Sequence, residues 1–176
     1  MRKAAKGKVG PACGECGIPM RSYREAHRYT ITPTWAITIA DAEILRCPKC
    51  GSYEVVIPKP DALQRTIAGE VIHKPSPLAG AEVTFLRRCL GLNGRELARA
   101  LGIEGETLSR YEHGFLRVQP QVDRLLRMMI AAQFLVEGER FGVEALSSIE
   151  KDVKEPAPLK LVVTVDPKGT WRRAAA

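Results

Sequence analysis

Across residues 80–135 apolar side chains recur every third or fourth position: Val83, Leu86 and Leu90, then Leu97 and Leu101, Leu108 and Tyr111, and finally Val122, Leu125 and Met129. That period marks one face of a helix, so the region is predicted to be a small helical bundle. Residues 29–32 and 35–39 are β-branched and aromatic instead, separated by Pro33, and predict short antiparallel strands. Pro58 and Pro60, then Pro75 and Pro77, stop helices on either side of residues 61–73. There Asp61 is an N-cap candidate and Leu63, Ile67, Val71 and Ile72 are the apolar positions, which predicts a short connecting helix. Pro156 and Pro158 precede a strand over residues 159–165 and a basic tail.

The punctuation inside the bundle is informative. Ala98 is small enough for two helices to cross closely, Gly102 can take a positive φ at a tight turn, and Ile103, Leu108 and Tyr111 can close a second helix onto the first. These are the demands of a helix-turn-helix. Its second helix, about residues 105–113, would turn Glu106, Thr107, Ser109 and Arg110 toward the major groove. A guanidinium bonds bidentately to guanine, which makes Arg110 the candidate base reader, with phosphate contact the alternative; Thr107 and Ser109 suit phosphate or thymine-methyl contacts, and Arg95 and Arg99 suit phosphates. A helix beginning at Pro120 carries Val122, Leu125, Leu126, Met129, Ile130 and Phe134 on one broad face, and the apolar excess near residues 128–132 suits a dimer seam.

Composition narrows the class. The 176 residues are 45% hydrophobic and 27% charged, which suits one compact domain or two small ones. The longest apolar run, residues 128–136, is far short of a membrane span, and the basic N-terminus lacks the apolar segment of a secretory signal, so a cytoplasmic location is expected. The net charge of +7 points to an anionic partner, and residues 1–30 alone carry +5. Arg2, Lys3, Lys6 and Lys8 there are either a DNA-hugging arm or a solvated terminus. The helical stretch, residues 81–140, is only +1, so any DNA affinity must come from arrangement more than bulk charge.

Four of the five cysteines form two identical units, Cys13-x-x-Cys16-Gly and Cys47-x-x-Cys50-Gly. Each can turn two thiolates onto one cation while the glycine lets the backbone curl, and two such knuckles complete a closed tetrahedral site. The expected occupant is one structural zinc, with iron or an iron-sulfur cluster the alternative; a redox pair would occur once, on a βαβ background absent here. His27 and His73 read as surface or packing residues, and Cys89 as a small buried hydrophobe. No catalytic triad, phosphate-binding glycine loop or open metal position is present in the pattern, so an enzyme is not expected.

The fold class expected is therefore α+β: a small zinc-ribbon domain of short antiparallel strands, joined by a linker to an all-α helix-turn-helix bundle of lambda-repressor type, with a further C-terminal strand. The boundaries are 1–57 for the ribbon and its basic arm, 58–79 for the linker and short helix, 80–140 for the DNA-binding and dimerisation domain, and 141–176 for a C-terminal extension.

The four-cysteine ribbon, the linker helix, and the runs from Leu92 to Ala98 and from Ser109 to Gly114 together resemble the MqsA/YgiT family of zinc-binding antitoxins, and the helical half resembles Xre/Cro-type DNA-binding domains. The resemblance spans about residues 13–135. It implies a homodimeric repressor of a palindromic double-stranded DNA operator, a toxin held by the ribbon domain, and structural zinc on Cys13, Cys16, Cys47 and Cys50. It places the family's base-reading arginine on Arg110 and pairs Arg87 with Glu112. The family's base-reading asparagine falls on Glu106 and the glutamine opening the first helix falls on Gly94, so the operator sequence does not carry over. A regulator of this architecture without a toxin is the alternative. A protein- or RNA-binding adaptor is a third reading, for which the ribbon offers the aromatics Tyr23, Tyr29 and Trp35.

Overall fold

A computed structural model describes residues 3–134, 141–149 and 155–174 of the chain. Among them six strands and six helices form a mixed α+β structure. The strands are β1 (Lys3–Ala12), β2 (Pro19–Thr32), β3 (Trp35–Arg46), β4 (Tyr53–Val56), β5 (Val162–Val165) and β6 (Trp171–Arg173). The helices are α1 (Pro60–His73), α2 (Gly80–Cys89), α3 (Gly94–Leu101), α4 (Gly105–Glu112), α5 (Pro120–Phe134) and α6 (Val143–Ser147). The chain divides into two compact units, one comprising residues up to Tyr29, Ile37–Leu63 and those from Leu161 onward, the other Thr30–Ala36 and Gln64–Lys160.

The strands form one sheet in the order β1-β2-β3-β5-β6, with β4 also paired to β3. Ile37, Ile39 and Ile44 of β3 and Val163 of β5 are fully buried, as β-branched side chains on a pleated surface should be. The β2–β3 hairpin is much longer than the expected strands at 29–32 and 35–39. Its N-terminal half was hidden by composition: between Arg21 and Arg28 most positions are polar, and Ser22 is buried where an apolar residue would have signalled the strand.

Two further differences concern the ends of the chain. The segment carrying Lys3, Lys6 and Lys8, read as either a DNA-hugging arm or a solvated terminus, lies in strand β1, antiparallel to β2 with Lys3 opposite Arg24 and Ala12 opposite Pro19. Pairing satisfies backbone groups that an open edge of β2 would leave to solvent. Arg2 lies outside the described residues.

The expected C-terminal extension over 141–176, with its strand at 159–165, returns to this sheet through the shorter strand Val162–Val165. β5 pairs in parallel with β3, Thr38 opposite Val162 and Ile39 opposite Val163, and β6 folds back on β5. The turn between them is closed by Asp166, whose carboxylate accepts the N–H groups of Lys168 and Thr170 at 2.9 Å each. Those bonds, Thr170 foremost, hold the carboxyl below its ordinary value. Trp171 is buried and its indole N–H donates to the carbonyl of Pro58 at 2.7 Å.

In the helical unit the segment 58–79 does more than link. α1 begins at Pro60, and Ile67, Ala68, Val71 and Ile72 are fully buried along one face. Residues after it are fixed by buried charge: Arg127 donates to the carbonyls of Ile72 and Lys74 at 2.8 and 2.7 Å and of Ser76 at 2.8 Å, and to Asp123 at 2.6 Å. Asp123 in turn accepts the N–H of Leu78 at 2.6 Å. Lys74 is paired with Glu82, which also accepts the N–H groups of Ala79 and Leu159. Burial pulls the Lys74 ammonium below its ordinary value, against the opposing pull of Glu82. All four charged side chains of this network, Lys74, Glu82, Asp123 and Arg127, are buried, and these bonds satisfy charges that could not otherwise leave water. Trp35, considered with the ribbon aromatics, is also buried, packed edge-on against Phe85 at 5.5 Å with its N–H on the carbonyl of Leu159.

Candidate functional site

The first constellation is the four cysteines. Each Cys-x-x-Cys occupies the turn of a hairpin: Cys13–Cys16 joins β1 to β2, and Cys47–Cys50 joins β3 to β4. The turns are built alike. Cys13 N–H donates to the carbonyl of Ile18 and Gly17 N–H to that of Cys13, while Cys47 N–H donates to Ser52 and Gly51 N–H to Cys47. Gly17 and Gly51 have φ of 73° and 76°, the left-handed conformation that lets the chain curl back past the second sulfur.

The four sulfurs lie within 4.8 Å of one another, arranged so that they could hold a metal ion. Sγ of Cys13 is 3.6 Å from that of Cys50, and Cys16 is 3.4 Å from Cys47 and 3.7 Å from Cys50. All four are free thiols, and Cys13 and Cys47 join Met20 and Leu45 in a small apolar cluster. Backbone N–H groups point at the sulfurs. Those of Cys50 and Lys49 bring Cys47 down to about 6, assisted by the thiols of Cys16 and Cys50. At Cys16 the N–H of Ile18 pulls the same way but is outweighed by the neighbouring thiols and burial, which push it up to about 12; Cys50 is raised similarly. The surroundings thus favour negative sulfur at Cys47 and disfavour it at Cys16 and Cys50.

His27 and His73 are outside this cluster. His73 is exposed, with Nδ1 bonded to the carbonyl of Gly69 and its ring edge-on to Phe141. Cys89 stands apart, half-buried, its thiol pushed up to about 12 by burial.

The second constellation is the exposed side of α3 and α4. Asn93 caps α3: its side chain accepts the N–H of Glu96 at 3.0 Å while the Glu96 carboxylate accepts that of Asn93 at 2.7 Å. Leu97, Ala98 and Leu101 face the core, and the helix stops at Gly102, whose φ of 67° and ψ of 33° supply the expected left-handed turn. Leu108 and Tyr111 bury the inner side of α4. Of the predicted contact residues, Arg95, Arg99, Glu106, Ser109 and Arg110 are exposed and Thr107 is half-buried.

Two contacts position α4 against α2. Arg87 donates to Glu112 through Nε at 2.7 Å and Nη2 at 3.2 Å. At Gly80 the backbones come so close that a Cβ would sit 2.3 Å from the carbonyl oxygen of Tyr111 and 2.6 Å from that of Glu112. No signal in the sequence marked that glycine, because its need arises from a helix thirty positions away. On α5, Leu125 and Met128 stand 42% and 45% exposed, three positions apart on one side of the helix.

Among the described residues no helix is long and apolar enough to cross a membrane. In comparison with known proteins, no family model and no curated protein matches the chain. Its functional reading therefore stands on the geometry.

Proposed function

We propose that this chain is a zinc-stabilised, sequence-specific double-stranded DNA-binding regulator, acting as a homodimer. The observation that carries the reading is the α3–Gly102–α4 arrangement: Leu97, Ala98, Leu108 and Tyr111 are buried while Ser109 and Arg110 stand exposed on a helix fixed by Arg87–Glu112. This is the shape in which a helix-turn-helix offers its second helix to a major groove. Arg110 is the base reader in this reading, Arg95 and Arg99 contact phosphates, and Ser109 and Thr107 flank the read bases, with Glu106 favouring cytosine through its exocyclic amine.

Zinc suits the cysteine site. A metal bonded to four thiolates at about 2.3 Å requires sulfurs roughly 3.8 Å apart at the corners of a tetrahedron, close to the 3.4–3.7 Å between them. Four thiolates leave no position for a catalytic water, so the ion cross-links two hairpins and does no chemistry. The exposed Leu125 and Met128 supply the dimer seam, and a two-fold dimer sets its recognition helices about 34 Å apart on a palindromic site.

The resemblance to MqsA/YgiT antitoxins extends this reading to repression of the chain's own operon and to a toxin held by the metal-bearing unit. A titration on the DNA upstream of the gene, against scrambled DNA of equal length at two salt concentrations, tests the core of it. Preference for the upstream fragment that survives the higher salt is the expected result; equal binding that vanishes with salt removes the regulator reading.

A further inference from the structure

The four cysteines are not equivalent. The first of each turn, Cys13 and Cys47, is 3% exposed, whereas the second is open, Cys50 being exposed and Cys16 half-buried. Two short sulfur–sulfur approaches run between the turns and couple the two kinds. Sγ of Cys50 is 3.6 Å from that of Cys13, and Sγ of Cys16 is 3.4 Å from that of Cys47. Each open sulfur therefore has a buried one of the other hairpin beside it. A cross-link that serves only to hold is best made from four buried sulfurs; this one shows solvent a reactive member of each pair and keeps its mate behind it.

We propose that this site is a thiol–disulfide switch: a peroxide oxidises the open sulfurs Cys50 and Cys16, the buried sulfurs Cys13 and Cys47 resolve them, and the ion leaves while two crossed disulfides keep the hairpin turns joined. The proposal rests on the zinc reading above. The Cys50 thiolate attacks one oxygen of hydrogen peroxide; the O–O bond breaks, hydroxide leaves and the sulfur becomes a sulfenic acid. The Cys13 thiolate then attacks that sulfur, forming the S–S bond and expelling a second hydroxide. Cys16 and Cys47 do the same with a second peroxide. Two peroxides thus take four electrons from four thiolates, and the zinc, left without ligands, departs as a divalent ion.

The choice of pairs decides what becomes of the sheet. Disulfides within the turns, Cys13–Cys16 and Cys47–Cys50, would leave the two hairpins unconnected once the ion had gone. Crossed disulfides take over its role as the tether. They need the least movement, since closing from 3.6 and 3.4 Å to a bond of about 2.0 Å brings each pair together by about 1.5 Å. The remaining short approach, 3.7 Å between Cys16 and Cys50, joins the two open sulfurs and would leave the buried ones to each other. The oxidised chain is therefore free of metal yet still cross-linked, and a dithiol reductant with zinc returns it to the starting state.

The test titrates the zinc-loaded full chain with hydrogen peroxide, following zinc release with a chromogenic chelator and disulfides by mass-spectrometric mapping. One zinc is expected to leave as two equivalents of peroxide are consumed, with Cys13–Cys50 and Cys16–Cys47 the bonds found and Cys89, half-buried and apart, still a thiol. Amides of residues 13–20 and 45–53 should keep in the oxidised chain the protection that the reduced, chelated chain loses. Cys50→Ser is expected to form Cys16–Cys47 alone. Disulfides within the turns or between Cys16 and Cys50, sulfinic acids in place of disulfides, or turns that open on oxidation each overturn the proposal. A zinc-loaded chain that keeps its ion and its thiols under peroxide overturns the switch and leaves the structural zinc standing; a chain that binds no zinc when it is supplied overturns both.

Discussion

Arg87 grips Glu112 through two parallel hydrogen bonds across 25 residues of sequence, and its third nitrogen donates to the carbonyl of Leu92 at 3.2 Å. One guanidinium thereby fixes the end of α4 and the loop leading into α3. Both side chains are mostly buried, 19% and 13% exposed, so solvent screens the pair only partly. Arg87→Ala is expected to cost about 1.5–3 kcal/mol, the range for hydrogen bonds to charged groups. Urea unfolding of the helical unit measures it, and DNA affinity should fall with it although Arg87 touches no base.

Gly80→Ala adds one methyl group where the carbonyls of Tyr111 and Glu112 leave no room. Both neighbours are backbone, so neither can swing away. A loss of about 1–3 kcal/mol is expected, as for other overpacked sites, read as a lower thermal midpoint with the sheet's metal content unaffected.

Arg110→Ala should cost about 1–3 kcal/mol at the preferred site and relax selection at one base pair. Selection from a randomised duplex library reads this directly. A variant that weakens binding equally on all sequences would make Arg110 a phosphate contact.

Purified chain should carry one zinc ion, measured by elemental analysis. Cys47→Ser, or prolonged chelation, is expected to strip it and to open the two hairpin turns, because metal-binding energy in such a site is folding energy. Amide exchange should accelerate around residues 13–20 and 45–53 while α2–α5 keep their protection.

Arg127→Ala removes a buried cation from Asp123 and from three backbone carbonyls at once. About 3–5 kcal/mol is expected, since the stranded carboxylate has no water to turn to. Asp123→Asn in the same chain should recover part of the loss, and a double-mutant cycle quantifies the coupling.

Legibility in the sequence followed the range of each interaction. Helix α5 begins at Pro120 as expected, Gly102 ends α3, and the Cys-x-x-Cys-Gly pairs come together, because all of these are written within a few residues; α1 begins at Pro60, which reads as a stop, so that the expected N-cap Asp61 lies inside its first turn. Asp123 and Arg127 are one helical turn apart, and from spacing alone such a pair reads as a solvated surface bridge. Only the folded chain, with the carbonyls of residues 72, 74 and 76 converging on the guanidinium, makes it buried. The polar strand β2 and the partner of β5 were hidden for the same reason. What decides them lies on a neighbouring strand, and for β5 that strand is over a hundred positions away. The pairing of Arg87 with Glu112 was available only through resemblance to a family.

The parallel pairing of β5 with β3 sets a timetable for the nascent polypeptide. Thr38 and Val162 meet across 124 positions. At about 5–20 residues per second, a ribosome reaches Val162 roughly 6 to 25 seconds after Thr38. Throughout that interval the edge of β3 that β5 will occupy is uncovered, and open strand edges recruit other chains. β5 thus acts as a clasp on a strand made long before it, so deleting residues 162–165 would be felt in the sheet whose hairpin turns hold the four cysteines.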